Sequence, residues 1–350
     1  MRDPLVIGST SVEAGQRGRA DVPVMTLLNG SELSLSIHAI HGREDGPTIC
    51  LLSTLHGGEW FSIEALRRVT SLLDPDALRG TVLVVPVANP LAFGLGTRDT
   101  PGNSDSPDMN RSFGGRHTWS SDQLADAVTT HAINRSDCLL DFHMGPWGSA
   151  FQDILIGGDF PEPAAEESER LALAFGSPVI RRADIVKGFP GPRSSIGYAG
   201  GVRGIPAMGI EIGGAGFSPK LEEAWWNATV DGILAVLGAM SMIDDPPDPR
   251  PARQLIYRTS HRVNPRHGGL LRSRFGGDQL GATVAAGTLL GEVLSPYSNE
   301  VIEELRAPAE GLLFYVARDY PVEPGGWAYG LASVADGARW IERNGSEGVR

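Results

Sequence analysis

A histidine and a glutamate three residues apart, in His56-Gly57-Gly58-Glu59, carry the first chemistry legible in this chain. An imidazole nitrogen and carboxylate oxygens on a glycine-rich turn can converge on one metal ion. Zinc accepts both donor types and keeps a position for water. The pair is only a half-site, because His-x-x-Glu arises by chance in many chains of this length. His143, in Asp141-Phe142-His143-Met144-Gly145, offers a third ligand directly after an apolar run. With a side-chain period of two, Asp141 projects from the same strand face and can orient that imidazole. A structural histidine satisfied by its neighbouring aspartate is the alternative.

Glu211 stands in Met208-Gly209-Ile210-Glu211-Ile212-Gly213-Gly214, an apolar run ending in glycines. A carboxylate there is costly unless it has a partner or a task. Beside a metal-bound water it can act as a general base and return the proton to a leaving amine; a strand-end glutamate reaching solvent is the alternative. Asp108-Met109-Asn110-Arg111 lies in a polar loop that opens near Arg98. A guanidinium in such a loop suits a substrate carboxylate, and a second one can stabilise oxyanion charge. Solvated loop arginines are the commoner case. The chain contains no Gly-x-Ser-x-Gly elbow, no phosphate-binding Gly-x-x-x-x-Gly-Lys loop, no Gly-x-Gly-x-x-Gly at a first strand–helix turn and no His-Glu-x-x-His.

The elements that must position these residues follow from periodicity. Residues 22–40 alternate around Asn29-Gly30, a hairpin pattern. Thr48 to Leu55, Thr81 to Val87, Cys138 to Phe142, Ile154 to Ile156 and Ala207 to Ile212 read as buried strands. Residues 61–73, 120–135, 163–175 and 219–240 read as helices. This alternation predicts an α/β fold with a mixed, mainly parallel sheet flanked by helices, ligands gathered at the carboxyl ends of its strands. The proline cluster at 246–251 reads as a linker between a domain over 1–245 and a small all-β C-terminal domain over 252–340. From Arg343 the composition suits a frayed end.

A formal net charge of −12 disfavours a nucleic-acid or anionic-membrane partner. Cys50 and Cys138, each inside an apolar run, read as buried thiols. The first residues lack a signal-peptide apolar region and no run approaches 18 apolar residues, so a cytoplasmic location is the expectation.

Taken together and in this order, His56-Gly57-Gly58-Glu59, Asp108-Met109-Asn110-Arg111, Asp141-Phe142-His143 and Gly209-Ile210-Glu211-Ile212-Gly213-Gly214 resemble the succinylglutamate desuccinylase/aspartoacylase family of zinc carboxypeptidase-like hydrolases. Gly200-Gly201-Val202-Arg203-Gly204-Ile205-Pro206-Ala207 looks more like its bacterial N-acetyl-diaminobutyrate deacetylase-like branch. The resemblance implies one zinc ion per chain on His56, Glu59 and His143, with Glu211 promoting attack by zinc-bound water. It implies that Asn110 and Arg111 grip a substrate carboxylate, Asp108 holds Arg111, and Arg98 polarises the scissile carbonyl. The substrate expected is a small N-acyl amino acid or related carboxylate, cut at its amide, and a homo-oligomer is compatible with the pattern. A metallocarboxypeptidase acting on peptide C-termini and an inactive small-molecule-binding relative are the other readings.

Overall fold

The computed structural model describes residues 2–102, 107–115, 118–318, 321–335, 337–343 and 347–349. A short hairpin, β1 (Leu5–Ile7) and β2 (Thr10–Val12), precedes the long antiparallel pair β3 (Gln16–Thr26) and β4 (Glu32–His41), which turns at Asn29-Gly30. Then follow β5 (Glu44–Ser53), α1 (Ser62–Leu72), β6 (Arg79–Val85), α2 (Pro90–Leu95), α3 (Ser120–His131), β7 (Cys138–Gly145) and β8 (Ser149–Gly157). Next are α4 (Ala164–Phe175), β9 (Val179–Ala183), β10 (Ala207–Gly214), α5 (Pro219–Ala239) and β11 (Arg253–Tyr257).

These strands form one mixed sheet in the order β3-β4-β6-β5-β7-β10-β8-β9-β11. The pairs β6/β5, β5/β7, β7/β10, β8/β9 and β9/β11 are parallel, whereas β10/β8 is antiparallel. Each face is covered, which is why β7 is buried along its whole length. Leu66, Val69, Leu171, Ile233 and Val236 of α1, α4 and α5 pack on one face, and Leu124 and Val128 of α3 on the other. The α/β sheet flanked by helices is thus the fold observed.

Beyond the proline run, the described elements are strands and one short helical turn: β12 (Ser260–Val263), β13 (Gly269–Ser273), β14 (Thr283–Val284), β15 (Leu289–Leu294) and β16 (Val301–Arg306). They continue as β17 (Gly311–Ala317), β18 (Pro321–Val322), β19 (Tyr329–Ser333), β20 (Arg339–Glu342) and β21 (Glu347–Val349). The central sheet continues into this part, because β11 pairs with β9, and β17 with β8 through Tyr315 opposite Phe151. A separate four-stranded sheet runs β16-β15-β13-β18. Within the stretch from Arg343 expected to fray, Glu347–Val349 form β21 and pair with β20, while residues 344–346 and 350 lie outside the described residues. Among the described residues no helix is long and apolar enough to cross a membrane.

Candidate metal centre and cleft

The turn after β5 carries His56 and Glu59, closed by the Glu59 N–H donating to the His56 carbonyl at 2.9 Å. Two glycines permit it. A Cβ on Gly57 would lie 2.0 Å from the Ala92 carbonyl carbon, so the turn packs directly on the backbone of α2. Asn89 ties the two together: its Nδ2 donates to the Leu55 carbonyl at 3.2 Å, and its Oδ1 caps α2 by accepting from the Ala92 N–H.

His143 reaches the same point from the end of β7. Its Nδ1 lies 2.7 Å from Glu59 Oε2, the His56 Nδ1 lies 2.9 Å from Glu59 Oε1, and the two rings are 5.1 Å apart. One ligand atom from each of the three residues falls within 4.8 Å of the others. All three side chains are buried. The opposite ring nitrogens are held by carboxylates, His56 Nε2 at 3.0 Å from Asp108 Oδ1 and His143 Nε2 at 3.0 Å from Asp141 Oδ2. Carboxylates on Nε2 favour a proton there, the tautomer in which Nδ1 is the ligating atom; His143 Nδ1 here shares a hydrogen bond with Glu59 Oε2.

The donor set fits a divalent cation. His56 Nδ1 is buried and makes no hydrogen bond despite its closeness to Glu59, as expected of two lone-pair donors converging on a third body. Burial opposes charge on His143, but Asp141 and Glu59 outweigh it and hold its pKa well above the ordinary histidine value. Burial likewise opposes the Glu59 carboxylate, yet His56 and His143 hold it well below the usual carboxylate range. This is a pocket that stabilises positive charge between its ligands.

Glu211 sits in register with His143 on the adjacent parallel strand and with Asp153 on the antiparallel one. Burial raises its carboxyl pKa to about 7, and no hydrogen bond ties it to any described residue. It borders the same cleft as His56, Glu59 and His143. A partly exposed carboxylate with a pKa near neutrality and a free lone pair can take a proton from water.

The other expected residues also gather here, with pairings that spacing does not reveal. Asp108 starts a short helical turn, Met109–Arg111, by accepting from the Asn110 N–H at 2.8 Å, and Met109 anchors it in the core. Its Oδ2 is 3.9 Å from Arg111 Nη1, so its shorter side-chain contact is with His56. Asn110 is buried, and its Oδ1 accepts from the Ser195 N–H at 2.9 Å. The Arg111 guanidinium lies 4.7 Å from the ring centroid of Phe189. Arg98, about half exposed, donates to Glu59 Oε1 at 3.0 Å. Arg203 is exposed and faces the Asn134 carbonyl, away from this cleft.

Two residues were not apparent from sequence. Ser195 links the two halves of the site, donating through Oγ to Asp141 and through its N–H to Asn110. Arg181, on β9, borders the cleft beside Glu211. Of the aromatic side chains, Phe189 borders this cleft, and Phe151, Tyr315 and Trp327 join it around the adjoining cavity, whereas Trp119, Trp147 and Tyr198 line neither.

Comparison with known proteins accords with this arrangement. The chain is 29% identical over 284 residues to the N-alpha-acetyl-L-2,4-diaminobutyric acid deacetylase of Halomonas elongata, covering 80% of this chain and 79% of that one. Its fold is that of a succinylglutamate desuccinylase/aspartoacylase from Rhodobacter sphaeroides (TM-score 0.76, 22% identity, 92% of this chain and 95% of that one). The same holds for the product-bound ectoine utilization protein EutE (DoeB) from Ruegeria pomeroyi (TM-score 0.76, 21% identity, 96% and 97%). Residues 45–237 match the succinylglutamate desuccinylase/aspartoacylase catalytic domain, and the chain belongs to that family.

Proposed function

We propose that this protein is a zinc-dependent amidohydrolase that removes the acyl group from a small N-acyl amino acid or related carboxylate. The observation that carries the reading is the convergence of His56, Glu59 and His143 with Glu211, an uncommitted carboxylate, in one cleft. The deacetylase name of the Halomonas elongata relative supports the reaction class.

In this reading His56, Glu59 and His143 hold one zinc ion, which supplies a Lewis acid for the amide carbonyl and a more acidic water. Asp108 and Asp141 keep the two imidazoles in the ligating tautomer. Glu211 accepts the proton of the water as its oxygen bonds to the carbonyl carbon. It then donates that proton to the departing nitrogen as the C–N bond breaks, and the water's second proton follows to the amine, giving a carboxylate and an ammonium. Arg98, which borders the cleft and donates to Glu59, would stabilise the developing oxyanion with its guanidinium. Arg111 pairs with the carboxylate of the substrate, Asn110 fixes the turn that presents it, and Asp108 steadies both.

Residues 1–245 carry the chemistry, 252–340 wall the cleft and 246–251 join them. A cytoplasmic site of action belongs to the same reading, with Cys50 and Cys138 as buried free thiols. The test is hydrolysis of a panel of N-acyl amino acids beside a dipeptide series. The reading expects N-acyl substrates to be cut, with turnover lowered by about 10²–10⁴ in Glu211→Gln; preferential cleavage of dipeptides, or unchanged turnover in that variant, contradicts it.

A further inference from the structure

The cleft does not end at Glu211. It opens into a cavity of about 570 Å³ whose far wall comes from the C-terminal strands. Phe151, Tyr315 and Trp327 make one continuous apolar face, with ring centroids 4.5 Å apart for Phe151–Tyr315 and 5.5 Å for Tyr315–Trp327. Above it the Arg262 guanidinium lies 4.0 Å from the Trp327 ring centroid. No described carboxylate comes within ion-pair distance of Arg262, and no described group accepts a hydrogen bond from it.

Arg181 borders the same cavity with its side chain only 20% exposed. Its one ion pair is a 3.3 Å approach of Nε to Asp153 Oδ2, an oxygen that already accepts from Tyr257 Oη at 2.9 Å. That Nε makes no hydrogen bond, and neither terminal nitrogen has a described acceptor. A guanidinium whose buried Nε is unmet is costly, and the exposed Arg262 facing the same space adds repulsion. In a chain of net charge −12, two arginines left open towards one cavity mark a place for an anion from outside. The adjoining aromatic wall adds a requirement of shape: its rings are inclined at 49° for Phe151–Tyr315 and 89° for Tyr315–Trp327, an apolar corner that takes a rigid planar body by edge and face contacts.

Arg111 borders the cleft at the metal centre but not this cavity, and Glu59, Arg98, Phe189 and Glu211 border both, so the two spaces adjoin at those residues. An amide held at the metal centre with its amino-acid carboxylate on Arg111 therefore directs its acyl group into the cavity. That orientation rests on the deacylase reading above. We propose that the cavity is an acyl subsite for a planar apolar group ending in a carboxylate, an aromatic diacid monoamide such as a 4-carboxybenzoyl amino acid. The Phe151–Tyr315–Trp327 face receives the ring, and Arg181 with Arg262 receives the carboxylate.

The test is calorimetric titration of the zinc-loaded protein with benzene-1,4-dicarboxylate and with benzoate, beside kinetics on 4-carboxybenzoyl, benzoyl and acetyl derivatives of one amino acid. The dicarboxylate is expected to bind at least about tenfold more tightly than benzoate, as one added charge-assisted pair allows. Arg262→Gln should collapse that ratio and Arg262→Lys restore most of it. Equal binding of the two acids, or a preference that survives Arg262→Gln, overturns the subsite whatever the turnover. A persistent, Arg262-dependent preference in a protein that hydrolyses no N-acyl amino acid supports the subsite and overturns the deacylase reading instead.

Discussion

The two ends of the cleft are built on opposite principles. At the metal centre nearly every polar atom already has a neighbour: Asp108 on His56, Asp141 on His143, Ser195 on Asp141, Asn110 on Ser195. At the far end the buried Nε of Arg181 makes no hydrogen bond, and Arg262, exposed at the cavity wall, makes none to a described group. Groups that perform a reaction must hold one geometry, and mutual contacts fix it before substrate arrives. Groups that select a substrate must keep their donors for the ligand. Glu211 belongs to the first end by position and resembles the second in its freedom, as a base that hands a proton on requires.

Breaking the closed end should cost most. Glu211→Gln keeps the shape and removes the base, so kcat should fall by about 10²–10⁴, the usual contribution of general-base catalysis, with KM little changed. Single-turnover kinetics at saturating zinc would check this. The same carboxyl sets the sign of the pH profile. Burial raises its pKa from 4.5 to about 7, and the reactive form is the deprotonated one, so kcat/KM should fall as the medium is acidified through that value. A bound cation draws the carboxyl back down, placing the acid limb between 4.5 and about 7. A wild-type profile without a limb in that interval would count against Glu211 as the base.

A smaller loss is expected from Ser195→Ala, which deprives Asp141 of a donor without touching a ligand. Groups that orient a ligating histidine typically contribute about 10–100-fold in metal affinity. Zinc competition against a chelator should show a loss of that size, recovered in Ser195→Thr, while kcat at saturating zinc changes far less. Equal zinc affinity in wild type and Ser195→Ala would remove Ser195 from the account.

The smallest effect concerns the turn beneath the centre. Gly57→Ala forces a Cβ against the Ala92 backbone and should lower stability by about 1–3 kcal/mol, as overpacking does. Gly94→Ala, in α2 with nothing within 4 Å of its Cβ position, should change stability by less than about 1 kcal/mol and in the favourable direction. Thermal melting of the two variants side by side would read the difference, and equal melting temperatures would show that the turn is not packed as described.

The same contrast explains what could be read from the sequence. The strands bearing the metal centre are apolar runs ending in glycine or a polar turn, so Thr48 to Leu55 and Ala207 to Ile212 are visible, and with them His56, Glu59 and Glu211. His143 follows from the same rule on β7. What stayed hidden depends on contacts between distant segments. Val179-Ile180-Arg181-Arg182-Ala183 has two apolar residues and then two charges, too little pattern to announce β9 or to single out Arg181. Ser195 lies among glycines, prolines and serines where nothing in spacing distinguishes it. Asp108 was assigned to Arg111 through the family resemblance, whereas its shorter side-chain contact crosses 52 residues to His56. The aromatic wall could not be chosen from composition either, because Tyr315 reaches the cleft only through the pairing of β17 with β8.

Hydrolysis is proposed to depend on a single zinc ion held by His56, Glu59 and His143. Stripping the protein with a chelator and titrating zinc back while following hydrolysis of an N-acyl amino acid measures it directly. Activity should be lost on stripping and rise linearly to a plateau at one zinc per chain, with no tight uptake by Glu59→Ala. Full activity in the stripped protein, or stoichiometric zinc uptake unaffected by Glu59→Ala, would contradict it.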